Sequence, residues 1–249
     1  MLPEPRGHVF FSGDDRLEGI LEWPAAPDGA AGGPGGAADR AAVGATQPRL
    51  AGGVVVAHPH PLYGSTMAQP VVYWVAQACR EQGFASLRFN FRGVERSRGH
   101  YSGTDEYRDV EAALSYLRGQ LDDGTARRPR LGLAGYSFGS VMAAVAAGAG
   151  AVQVDALALI ALVVDWDELA PGALDTLARF RAPVLALCGE LDDLALPAVV
   201  ERTLRGLGVD FRLTVMQGTG HLFEHKQREV GERVAAFFAE TLGRKPQNV

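Results

Sequence analysis

The spacing of hydrophobic positions changes along the chain, and each change marks an element. "HVFF" (8–11) and "LEGILEWP" (17–24) are short apolar runs separated by the turn-forming "SGDD", and predict a strand pair. "GGVVVAHP" (52–59) is a β-branched run suited to a buried strand. "MAQPVVYWVAQACREQG" (67–83) predicts a helix, with Pro70 tolerated only in its first turn and Gly83 following its end. "FASLRFNFR" (84–92) predicts the next strand. In "DEYRDVEAALSYLRGQL" (105–121), Tyr107, Val110, Leu114, Leu117 and Leu121 recur at steps of three and four, so one face of a helix is apolar. "RPRLGLAGY" (128–136) predicts a strand, and "FGSVMAAVAAGAGA" (138–151) a helix apolar nearly all round, hence buried. "DALALIALVV" (155–164) and "APVLALCGE" (182–190) predict two more strands. "PAVVERTLRGLG" (197–208), "VDFRLTVMQG" (209–218) and "QREVGERVAAFFAETLG" (227–243) complete the order as helix, strand and amphipathic helix.

Strands and helices therefore alternate from residue 52 onward. That order predicts an α/β fold, with a mostly parallel sheet and crossover helices on both faces. Ligands of open α/β sheets bind beyond the carboxyl ends of the strands. The residues that follow each strand are where chemistry is to be sought.

Ser137 follows the strand at 128–136, inside Gly135-Tyr136-Ser137-Phe138-Gly139. In a G-x-S-x-G elbow, a sharp and strained strand-to-helix turn lifts the serine hydroxyl off the sheet. Side chains at either glycine would collide with neighbouring backbone. A serine hydroxyl is a weak nucleophile until a base takes its proton. His221, in "QGTGHLFEH", directly follows the last strand and is the candidate base. His225 falls at the start of the terminal helix, and His8 and His100 read as surface positions. An acid must hold the tautomer of the base. Asp192 in "CGELDDLALP" is favoured, with Asp193 beside it and Asp165 after the strand at 155–164 as rivals.

Serine, acid and histidine then occur in the chain order of the α/β-hydrolases. From residue 52 to 243 the sequence resembles that superfamily. It is most similar to small bacterial serine hydrolases carrying "HPHPLYGG"-like and "RFNFRGVGRS"-like segments. Here these read "HPHPLYGST" (58–66) and "RFNFRGVERS" (88–97), with Ser65 and Glu95 in place of glycines. The resemblance implies an α/β-hydrolase fold with a minimal lid or none, and esterase-like acyl transfer to water. Thioester or peptide hydrolysis by the same groups, or a non-catalytic binding role on the same fold, remain open. It also implies an oxyanion hole made by the N–H of Phe138 and one N–H from the 58–63 turn. Pro59 and Pro61 have no N–H. His60 is the candidate by comparison with the family.

Composition narrows the partners. The chain has 249 residues, 47% hydrophobic and 21% charged, which suits one globular domain over 1–249. A formal net charge of −5 argues against nucleic acid. No apolar run reaches the roughly 18 residues of a membrane helix, so no membrane partner is expected. Two cysteines, Cys79 and Cys188, argue against a disulfide scaffold and for a reducing, cytoplasmic setting. Residues 25–48, rich in Gly, Ala and Pro, are expected to form a mobile surface insertion. "HPH" admits a metal reading, but a metal would leave the serine elbow without a purpose. No P-loop or dinucleotide fingerprint stands at a strand-to-helix junction. Arg88, Arg92, Arg96 and Arg98 suggest either an anion site or loop-tying ion pairs. The expectation is a small-molecule substrate and no cofactor or metal. The sequence leaves the oligomeric state open.

Overall fold

Residues 7–24, 50–165 and 172–243 are described by the computed structural model, so the expected 25–48 insertion lies outside the described residues. Eight strands are formed: β1 (His8–Ser12), β2 (Arg16–Glu22), β3 (Gly52–Ala57), β4 (Phe84–Phe89), β5 (Leu131–Tyr136), β6 (Ala156–Ile160), β7 (Val184–Gly189) and β8 (Phe211–Met216). They build one sheet in the order β1-β2-β4-β3-β5-β6-β7-β8. The pairs β1–β2 and β2–β4 are antiparallel, and every other pair is parallel. All residues of β3, β4, β5, β6 and β7 are buried. Parallel strands covered on both faces need apolar residues at every position, which is why these runs do not alternate.

The covering helices are α1 (Pro70–Glu81), α2 (Tyr107–Leu121), α3 (Phe138–Ala149), α4 (Pro197–Gly206) and α5 (Gln227–Leu242). Pro70 is the first residue of α1, where its missing N–H costs nothing. The Gln69 side chain accepts from Val71 and Val72 N–H at 2.7 and 3.3 Å and so caps the helix. The stripe expected of the 105–121 segment is in place, since Val110, Leu114, Leu117 and Leu121 of α2 are buried. Helix α3 is buried from Phe138 to Gly148, as its uniform apolarity requires.

Three features differ from the sequence expectation. Strand β6 stops at Ile160 although the apolar run continues to Val164. Ala161 adopts φ 48°, which turns the chain out of the sheet. Two short 3₁₀ segments, Pro61–Tyr63 and Ala173–Arg179, were not predicted, because one or two turns leave no readable periodicity. Glu95 adopts the left-handed conformation, with φ 48°, whereas Ser65 does not. A side chain in that region is strained, so Glu95 marks a turn imposed by the surrounding loop.

The carboxyl ends of the parallel strands are level. Ala57 stands opposite Gly135, Tyr136 opposite Ile160 and Gly189 opposite Met216. The loops that begin after these residues therefore open on one edge of the sheet.

Candidate active site

Ser137 joins β5 to α3 with φ 55° and ψ −120°, a conformation that an L-residue adopts only under constraint. The constraint is visible on both sides. Ser137 N–H donates to Ile160 O at 2.8 Å, which ties it to β6. Its own carbonyl accepts from Ser140 N–H at 2.8 Å and from Ser140 Oγ at 2.6 Å, which starts the helix. A Cβ on Gly135 would run into the backbone of Gly139, and one on Gly139 would stand 2.5 Å from His58 O and 2.6 Å from Ala57 O. The turn is tight enough to admit only glycine at both places. The backbone strain thus aims one hydroxyl past the sheet edge.

His221 lies in the loop after β8. Its Nε2 is 2.9 Å from Ser137 Oγ, and its Nδ1 is 3.0 Å from both oxygens of Asp192. The loop is held by Tyr136, whose hydroxyl donates to His221 O at 2.8 Å. Asp192 follows β7 and is 1% exposed. Its Oδ1 also accepts from Leu194 N–H at 3.0 Å and Ala195 N–H at 2.7 Å. Burial pushes the Asp192 carboxyl up, but the hydrogen bonds from His221 and the two backbone N–H groups outweigh it and hold the group below its ordinary value. An ionised carboxylate only accepts hydrogen bonds, so His221 carries its proton on Nδ1. Nε2 is then free of a proton and can accept the serine O–H.

The rival carboxylates differ from Asp192 in burial. Asp193 and Asp165 are exposed, so neither has the buried position of Asp192. His225 precedes α5 in an exposed turn at φ 62°, so it is outside the helix rather than at its start. His8 is not a surface residue. Its Nε2 lies 2.6 Å from Glu18 Oε1, with side chains 4% and 6% exposed. Nothing local in "HVFF" could announce that partner, ten residues away across a hairpin.

The "HPH" turn carries two different histidines. His58 Nε2 accepts from Phe91 N–H at 3.1 Å, and its Nδ1–H donates to Pro59 O at 2.6 Å. His60 Nδ1 accepts from Leu62 N–H at 3.1 Å, and its Nε2 is 2.8 Å from Tyr101 Oη. Each ring nitrogen is in a hydrogen bond, so neither ring turns a lone pair toward a shared metal position. Among the described residues, no three His, Cys, Asp or Glu side chains are grouped to hold a metal. Phe138 is the first residue of α3, where N–H groups have no acceptor within the helix. Its ring lies 5.0 Å from that of His60, so the two residues expected to form the oxyanion hole pack against each other.

Two of the four arginines, Arg92 and Arg88, tie segments together. Arg92 grips the buried Asp109 at 2.7 Å, and Arg88 reaches Glu22 at 3.5 Å and Met67 O at 3.2 Å. Arg96 lies 4.7 Å over the Phe10 ring, and Arg98 is exposed. A concavity of about 560 Å³ between α4 and β8, lined by Glu201, Arg205 and Val209, adjoins the amino end of β8. It is at the other end of the strand from His221.

Burial drives the His58 pKa down from 6.5 to about 4, with His60 adding a smaller effect in the same direction. The unfolded chain would take up this proton at higher pH than the folded one. Stability is therefore intact above about 6.5 and is lost as pH falls toward 4, by an amount on the order of 3 kcal/mol. Urea midpoints of wild type and His58→Gln at pH 7 and 4.5 check this. The variant is expected to be weaker at pH 7 and to lose less on acidification. Equal losses would count against a neutral, buried His58.

Comparison with known proteins shows what the chain is similar to. The model of the X-Pro dipeptidyl-peptidase (S15) family matches residues 41–186, which hold Ser137 but neither Asp192 nor His221. An uncharacterized protein from Rickettsia prowazekii is 37% identical over 90 residues, 36% of this chain and 36% of its own length. A probable 2-oxo-3-(5-oxofuran-2-ylidene)propanoate lactonase from a Bradyrhizobium species is 28% identical over 134 residues, 52% of this chain and 53% of its own. The chain thus spans about half or less of the curated relatives it matches. A lidless α/β serine hydrolase from Xanthomonas campestris superposes with a TM-score of 0.75 at 25% identity, over 99% of each chain. An α/β serine hydrolase homologue from Coxiella burnetii gives 0.75 at 24%, over 96% of this chain and all of its own. An esterase from Pyrococcus furiosus gives 0.71 at 17%, over 96% and 94%. The fold is that of the α/β serine hydrolases, without an indicated lid. With a family match across more than half its length, the chain belongs to the X-Pro dipeptidyl-peptidase (S15) family.

Proposed function

We infer that this member is a serine hydrolase of small, neutral carboxylic esters, working through an acyl-enzyme on a single cytoplasmic domain. The observation that carries the reading is the hydrogen-bonded series from Ser137 Oγ through His221 to Asp192 at the carboxyl edge of the sheet. Ser137 Oγ attacks the ester carbonyl carbon as its proton passes to His221 Nε2. Asp192 keeps the imidazole in the accepting tautomer and stabilises its cation. The N–H groups of Phe138 and His60 are assigned to the oxyanion, each donor being worth about 3–4 kcal/mol in such sites. Collapse breaks the bond to the alkoxy oxygen, and the alcohol leaves with the proton of His221. Water then attacks the acyl carbon and gives its proton to the same nitrogen. The second collapse releases the acid and restores Ser137.

The surroundings favour apolar groups of modest size. Leu62, Tyr63, Leu191, Leu194, Leu196 and Leu222 are exposed, and they sit in the loops that carry His60, Asp192 and His221. Apolar side chains exposed in all three of these loops suit the binding of an apolar group. Only residues 161–183 connect β6 to β7, too few for a separate lid domain. An open rim dehydrates a long acyl chain poorly, so short acyl groups are preferred. No helix among the described residues is long and apolar enough to cross a membrane. Cys79 and Cys188 are buried free thiols, which fits a reducing compartment.

The family match favours a second reading, peptidase action on X-Pro substrates. The lactonase relative extends the ester reading to cyclic esters, which the same steps would open. A panel of esters, thioesters, lactones and X-Pro amides, run with wild type and Ser137→Ala, separates these. Serine-dependent ester cleavage with short-acyl preference is expected. Faster turnover of an X-Pro amide than of every ester would replace the reading by the peptidase one.

A further inference from the structure

The His60 ring is fixed on every side. As the first capping residue of the Pro61–Tyr63 turn, it accepts Leu62 N–H on Nδ1 at 3.1 Å. With that nitrogen accepting, a neutral ring carries its proton on Nε2. Nε2–H then donates to Tyr101 Oη, 2.8 Å away. The ring centroid lies 4.7 Å from Tyr63, 5.0 Å from Tyr101 and 5.0 Å from Phe138. Tyr101 also reaches Phe138 directly, at 5.8 Å. It comes from the loop between β4 and α2, which supplies none of the groups assigned to the reaction.

We propose that Tyr101 is a positioning residue for the oxyanion hole, setting through the His60 ring where the His60 and Phe138 N–H groups stand. The two assigned donors belong to different segments, the turn after β3 and the start of α3, which leave paired strands and then run on separately. Their side chains meet, and Tyr101 touches both. Its hydroxyl decides the orientation of the His60 ring, and the Leu62 hydrogen bond transmits that orientation to the turn. Donors in such sites act on the charge that develops in the transition state, and small misplacements there are costly. The cost therefore falls on kcat rather than on substrate binding.

This inference rests on Ser137 being the nucleophile, so the experiment first establishes ester turnover and fluorophosphonate labelling of the wild type. Absence of both would overturn the serine-hydrolase reading itself. Given an active wild type, Tyr101→Phe keeps the ring and removes one hydroxyl. Its kcat on a short-acyl ester is expected to fall by roughly tenfold or more with KM within about twofold, and thermal stability nearly unchanged. His60→Gln is expected to lower kcat in the same way. The double variant should be no slower than His60→Gln alone, because Tyr101 acts through His60. Three results would overturn the proposal: an unchanged kcat in Tyr101→Phe, additive losses in the double variant, or a kcat loss accompanied by a raised KM and a large drop in thermal stability. The last would make Tyr101 a packing residue.

Discussion

Ser137→Ala is expected to abolish labelling by a fluorophosphonate and to lower turnover by a factor on the order of 10⁶, the scale seen when serine proteases lose their nucleophile. The size follows from the chemistry. Without Oγ there is no acyl-enzyme, and His221 is left without the proton it is oriented to take. The hydroxyl of Ser140, three residues on, does not substitute. Ser140 is fully buried, and its Oγ is committed to Ser137 O at 2.6 Å. The variant should fold normally. The Ser137 side chain makes no capping bond to α3, and alanine meets the same backbone constraint at φ 55°. The measurements are mass-spectrometric detection of the adduct and ester kinetics on the purified variant. Persistence of both label and rate would remove Ser137 from the mechanism. Loss of label with a rate lowered only a few fold would mean that the label reports reactivity unrelated to turnover.

Much of what the sequence made legible was local. The elbow was readable because G-x-S-x-G compresses a strand end, a strained residue and a helix start into five positions. The buried strands were readable because both faces of a parallel sheet demand unbroken apolar runs. The site contacts that escaped are those between distant segments. Tyr101 and His60 are 41 residues apart, and Tyr136 and His221 are 85 apart. The pairing of His8 with Glu18 depends on a hairpin register that turns both side chains inward. The sequence left Arg88 and Arg92 between an anion site and loop-tying ion pairs, because their partners, Glu22 and Asp109, are supplied by other elements. Tyrosine before the nucleophile carried a signal that composition could not interpret. Its hydroxyl anchors the loop of His221, while its ring fills the space beside Phe223 at 6.0 Å.

The choice among three carboxylates was legible only in part, and it supports the second large prediction. Asp192 and Asp193 are neighbours in sequence and opposite in circumstance, since the first is buried and the second exposed. The loop decides this. Leu191 N–H donates to Thr219 O at 2.9 Å and binds the loop of Asp192 to the loop of His221. The N–H groups of Leu194 and Ala195 close back on Asp192 Oδ1, so the carboxylate cannot swing away. Asp192→Asn is expected to lower kcat by roughly 10⁴, the cost of the wrong tautomer in a serine protease. An amide that turns its N–H₂ toward Nδ1 forces the proton onto Nε2, where it blocks acceptance from Ser137. Asp165→Asn and Asp193→Asn should each cost less than about tenfold. The Asp192 carboxyl is held below its ordinary value of 3.8, so the stability it contributes is present above that value and lost as pH falls through the lowered one. It stays ionised across the neutral range, and no adjustment between about pH 5 and 8 should restore the variant. Kinetics of the three asparagine variants, each followed over that pH range, measure this directly. A crippled Asp165→Asn beside an active Asp192→Asn would move the acid to the loop after β6.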